Sequence, residues 1–201
     1  MKDATNNAVG MATLWDNNEK FVYLFSKLMD AVEVEDWDEA ASLIKLNEVL
    51  MAPGLERVYH LLPDEYKFRI PVECYTHHGD HLPTVRKYVR QARKLLPMEK
   101  RLPPELLRLP AITVYRAGEE APEEAVNRIS WTTSPEVALW FYNRAKLIRR
   151  PRRLYRGTII PERIIWYTDG RSEKEVMQYR GVKQIAEIDP DDVPREVSAA
   201  R

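Results

Sequence analysis

The feature that most constrains the fold is a change of pattern near Leu102 to Pro110. Upstream of it apolar residues recur at helical spacing, and downstream they crowd into short β-branched and aromatic runs. Phe21, Leu24, Phe25, Leu28 and Met29 form one helical stripe. Ala40, Leu43, Ile44 and Val49 form another, opened by the acidic run Asp36-Trp37-Asp38-Glu39. Helix breaks are expected at Pro53-Gly54, Pro63 and Pro71. A further helix, about Pro83 to Leu96, puts Val85, Tyr88, Val89, Ala92 and Leu95 on one face and Arg86, Lys87, Arg90, Arg93 and Lys94 on the other. Pro103, Pro104 and Pro110 then bracket Leu106-Leu107. The chain reads as an α+β protein, with an α-helical region over 1–108 and a strand-rich domain over 109–201 that ends in an acidic, exposed tail after Asp189-Pro190-Asp191-Asp192.

At 201 residues, 44% hydrophobic and 31% charged, the chain can bury the core of one or two domains. Its 31 basic and 31 acidic side chains balance, which leaves no global field to recruit nucleic acid or membrane. Cys74 is the single cysteine, so an internal disulfide framework is excluded and a reducing compartment is expected. Met1 to Gly10 has neither the basic start nor the apolar core of a signal peptide, and no run reaches the length of a membrane span. The expected location is the cytoplasm. His77-His78-Gly79-Asp80-His81, near Cys74, offers metal-ligand types in one short stretch. Adjacent histidines in an extended chain point opposite ways, so a polar loop between the two regions is expected there, without a metal.

Three motifs carry chemistry. Val114-Tyr115-Arg116 follows a β-branched run and precedes Ala117-Gly118, which places Arg116 at the end of a buried strand. A guanidinium there can grip phosphate oxygens in two places. Ser130-Trp131-Thr132-Thr133-Ser134-Pro135-Glu136 combines a strand end with a capped helix start: Ser134 as N-cap, Pro135 at the first helical position, Glu136 in the first turn. The cap accounts for Ser134 but leaves Ser130 and Thr132, which share a face in an extended chain. Glu173 and Glu175, before the apolar Val176-Met177, alternate in the same way. Two carboxylates side by side repel, so one is expected to hold its proton or to be offset by a cation such as Arg116.

In this order the motifs resemble the arginine, serine, glutamate class of mono-ADP-ribosyltransferases, over about Leu109 to Pro190. The resemblance implies a sheet split into two packed halves around a cleft, with NAD as substrate and no metal. It also implies roles: Arg116 binds the phosphates and ribose, Ala117 and Gly118 follow where the family's backbone approaches the nicotinamide, and Ser130 and Thr132 orient the catalytic carboxylate. Glu175 would stabilise the oxocarbenium-like transition state, and Glu173 would activate an arginine acceptor on a target protein. Tyr155-Arg156-Gly157 matches the family's tyrosine-arginine-glycine wording more closely, but it falls after the serine motif. Such enzymes serve as toxins or as effectors between phages and hosts.

Two alternatives stand beside this reading. The basic helix and the dense run Lys146-Leu147-Ile148-Arg149-Arg150-Pro151-Arg152-Arg153 suit a transferase whose acceptor is nucleic acid. Ala117, in place of the family glycine, suits a non-enzymatic interaction protein on a degenerate transferase fold.

Overall fold

The structure is a computed structural model, and it describes residues 17–78, 83–147, 152–169 and 172–194. Its first half is helical: α1 (Asn17–Glu33), α2 (Trp37–Leu46), α3 (Glu48–Val58), α4 (Asp64–His78) and α5 (Pro83–Ala92), then the single turns α6 (Met98–Arg101) and α7 (Pro104–Leu107). Asp36 caps α2, its carboxylate accepting from the Glu39 N–H at 3.1 Å, as the acidic start implies. The expected apolar face of α5 is the buried one, through Val85, Tyr88, Val89 and Ala92.

Pro53 and Pro71 do not break the chain; they lie inside α3 and α4, and of the expected breaks Pro63 alone sits at a helix boundary. A proline inside a helix costs about 3 kcal/mol. Around Pro53 the side chains of Leu50, Met51, Leu55 and Val58 are fully buried, each worth about 1.5–3 kcal/mol, so packing outweighs the local penalty. Gly54 belongs to that packing. A Cβ there would lie 3.1 Å from Leu28 and 3.3 Å from Ile44, so α1 and α2 approach α3 closely at this point. His77 and His78, expected in a loop, instead close α4, and residues 79–82 lie outside the described residues.

The second half supplies β1 (Ile112–Gly118), α8 (Pro122–Ala125), β2 (Ser130–Thr132), α9 (Pro135–Leu147), β3 (Arg153–Ile159), β4 (Ile164–Thr168), β5 (Glu175–Gln178) and β6 (Lys183–Glu187). These strands form one antiparallel sheet of six, in the order β4-β5-β2-β1-β3-β6. β1 and β3 stay in register from Ile112↔Ile159 to Gly118↔Arg153, and β2 pairs with β5 from Ser130↔Met177 to Thr132↔Glu175. Between these two blocks a single registered pair, Tyr115↔Thr132, joins β1 to β2. This short pairing at the centre joins β4-β5-β2 to β1-β3-β6 in one continuous sheet.

Alternation divides the strand residues between layers. Val114, Trp131, Tyr155 and Val176 enter a core on one face with Leu102 and Ala125, while Tyr115 and Leu154 pack under Ala138 of α9. Ile129, Ile165 and Met177 are buried among the residues of α1 to α5. Phe68 meets Trp166 edge-on at 5.1 Å, and the Arg90 guanidinium lies 3.7 Å from the centre of the Tyr179 ring. Helices and sheet therefore share a core across the change of pattern at Leu102 to Pro110. No helix among the described residues is long and apolar enough to cross a membrane.

Candidate active site

β2 is three residues long, and each of them places something different. Trp131 points into the core, 2% exposed, and anchors the strand. Ser130 and Thr132 line a cavity of about 390 Å³, within the range of small-molecule sites. The Ser130 carbonyl accepts from the Arg116 guanidinium at 2.6 Å, so the cation is fixed at one end of β2. At the other end Thr132 stands opposite Glu175. Two residues of extended chain, about 6.8 Å, thus separate the anchor of the cation from that of the acid. Arg116, Ser130, Thr132, Glu173 and Glu175 all line this one cavity, together with Ala117 and Gly118.

The acid segment is built by backbone geometry. The Thr132 hydroxyl donates to the Glu173 carbonyl at 2.6 Å and accepts from the Ser134 N–H at 3.0 Å, tying the acid segment to the start of α9. Ser134 is the cap expected of it, with its Oγ accepting from the Val137 N–H at 3.3 Å and donating to Glu136 at 2.7 Å. Between the two glutamates Lys174 has a φ of 44°, a left-handed conformation that non-glycine residues adopt at some cost. It is held there from both sides: its N–H donates to Asp169 Oδ1 at 3.1 Å, and its carbonyl accepts from the Thr133 N–H at 3.0 Å. This twist corrects the expectation of simple alternation. Glu175 begins β5 and is buried, whereas Glu173 precedes the strand and is half-buried. The two carboxylates reach one cavity from differently oriented backbone.

Arg116 also meets an acid that the sequence did not single out. Its Nε pairs with Glu120 Oε1 at 2.6 Å. Glu120, absent from the sequence reading, is buried, with its side chain 3% exposed, and its second oxygen faces Arg128 Nε at 3.6 Å. Its backbone carbonyl accepts from the Tyr155 hydroxyl. Gly118 makes this possible, because a Cβ there would collide with the Glu120 carboxylate. The available signal was Arg116 and Glu120 four residues apart. That spacing has a contact rule in helices but none where a strand runs into a turn.

Burial opposes the charge on Glu120, but the Arg116 guanidinium and its hydrogen bond, aided by Arg128, hold the carboxyl below the usual value of 4.5. The stability this contributes is complete above the ordinary carboxylate value and is lost as pH falls through the lowered one. Acid unfolding followed by circular dichroism is therefore expected to be less steep in Glu120→Gln than in the parent, with the difference confined to pH below about 4.5. Identical acid profiles would show that the pair contributes nothing.

The remaining expected residues fall as follows. Arg156 is exposed on β3 and does not line the cavity, and Gly157 beside it is explained by packing: a Cβ would strike Val182 and come within 3.1 Å of the Lys183 carbonyl. Of the basic run, 148–151 lie outside the described residues, Arg152 lines the cavity, and Arg153 pairs with Glu187 across β3 and β6 at 3.6 Å. Burial pushes the Cys74 thiol up to about 12, which keeps it protonated in the helical core. No protein-family model matches the chain, and no curated protein or solved structure matches it.

Proposed function

We propose that the chain is an NAD-dependent mono-ADP-ribosyltransferase that moves ADP-ribose onto a protein side chain, with arginine as acceptor. The observation that carries this reading is the convergence of Arg116, Ser130, Thr132, Glu173 and Glu175, from three separate segments, on one cavity. The short pairing of β1 with β2 at Tyr115↔Thr132, in the middle of the sheet, supports it, since the resembling family has a sheet that opens around a cleft. Arg152 supports it as well, since it adds a further guanidinium to the lining of the same cavity.

In this reading NAD lies with its phosphates toward the arginines and its nicotinamide riboside toward the acids. The bond between C1′ of the ribose and the pyridinium nitrogen breaks, and nicotinamide leaves with the electron pair. The positive charge left on the sugar is stabilised by the Glu175 carboxylate. A guanidinium nitrogen of the acceptor then bonds to C1′, and its proton passes to Glu173. As an effector such a chain would act in the cytoplasm of its host.

Incubation with NAD labelled in the adenylate and a cell lysate tests the reading. Label on protein upholds it, label on nucleic acid moves the acceptor to the class that the basic segments suit, and no label removes the enzymatic reading. Glu173→Gln separates the two acids. It is expected to keep NAD hydrolysis within about threefold while transfer to arginine falls by about 10²-fold or more, measured as nicotinamide release against labelled acceptor. Equal loss of both activities would give Glu173 no role specific to the acceptor.

A further inference from the structure

We propose that Glu120 is a positioning residue that holds Arg116 and Arg128 together as a two-guanidinium receptor for a diphosphate, an inference that rests on the NAD reading of the same cavity. Both arginines line the cavity, and two like charges brought to one wall repel. Glu120 resolves this by giving one oxygen to each: Oε1 to Arg116 Nε at 2.6 Å and Oε2 to Arg128 Nε at 3.6 Å. Its carboxylate is engaged by the Nε nitrogen in both cases.

The surroundings fix all three members. Arg116 is also tied to the Ser130 carbonyl, and the Glu120 backbone is held by the Tyr155 hydroxyl. The Arg128 carbonyl accepts from Trp131 Nε1 at 3.2 Å and from the Gln178 amide. A lone structural ion pair would need one arginine. The second, whose side chain is 37% exposed, makes sense where two anionic groups joined by a short bridge must each meet a cation. Glu120 is thus a buried anion whose work is to aim two cations, and Gly118 is glycine so that the carboxylate can lie against β1.

The sign of one substitution tests this. Glu120→Gln makes the cavity more positive by one charge, so field strength alone would tighten the grip on an anion, whereas loss of aim weakens it. Calorimetric titration with ADP-ribose and with inorganic pyrophosphate is expected to show affinity about tenfold weaker or worse in Glu120→Gln. Gly118→Ala, which displaces Glu120 without changing charge, is expected to act in the same direction. Nicotinamide riboside, which has no phosphate, is expected to bind all variants alike, and a general loss of fold would not spare it. Unchanged or tighter ADP-ribose binding in a folded Glu120→Gln overturns the inference, as does failure of the unsubstituted chain to bind ADP-ribose. Where Glu120→Gln does not fold, Arg128→Gln decides, since unchanged ADP-ribose affinity there overturns it equally. Weakened binding in a chain that transfers no label from NAD upholds the receptor and removes only the transferase reading.

Discussion

Glu175→Gln is expected to leave the chain folded and to lower ADP-ribosyl transfer by about 10²–10³-fold, the scale of losing one preorganised electrostatic group in a buried site. The backbone of Glu175 is in register with Thr132 on one side and Thr168 on the other, and these strand pairings survive a change of side chain. Glutamine fills the same volume, so the core is undisturbed. In the proposed reaction, what disappears is the negative charge opposite a sugar that becomes positive as nicotinamide departs. Each tenfold in rate is about 1.4 kcal/mol, so the expected loss asks about 2.7–4 kcal/mol of this carboxylate. Initial rates of labelled transfer, with thermal melting as the control for fold, measure it. Full activity in Glu175→Gln would end the assignment of the acid.

The largest expected loss of stability belongs to Trp131→Ala, about 3–5 kcal/mol in unfolding free energy. The ring is 2% exposed, packs with Val114, Tyr155 and Val176, and uses its indole N–H on the Arg128 carbonyl. A typical domain has about 5–15 kcal/mol in total, so the variant is expected to be partly unfolded near physiological temperature. Denaturant titration gives the number, and a loss under about 1 kcal/mol would mean that the neighbouring core collapses around the gap. Because Ser130 and Thr132 flank this one anchor, the same change is expected to remove the site with the stability.

The parts of the fold legible beforehand were those written in local signals. The buried stripe of α5, the Asp36 cap and the Ser134-Pro135 helix start depend on residues within one or two turns of each other, and short-range rules reach them. Ser130, Thr132 and Glu175 were legible through their order and sit at strand ends, whereas Arg116, expected at the end of its strand, lies inside β1, which stays paired with β3 through Gly118. Pro53 and Pro71 were misjudged because a helix interior is decided by what its faces bury, which no window of sequence displays. Glu173 was misplaced by one backbone angle at Lys174, held by Asp169 and Thr133. Glu120 was invisible because its importance lies in being enclosed by Arg116, Arg128 and Tyr155, three partners drawn from three different segments.

β5 has one further property of mechanical kind. Glu175 faces the cavity while Met177, two residues along the same four-residue strand, is seated among the side chains of the helical half. So short a strand joins the cavity to the core of the helical half within four residues. The main chain itself thus ties the carboxylate to the helices, and the N-terminal half is the footing on which the acid stands.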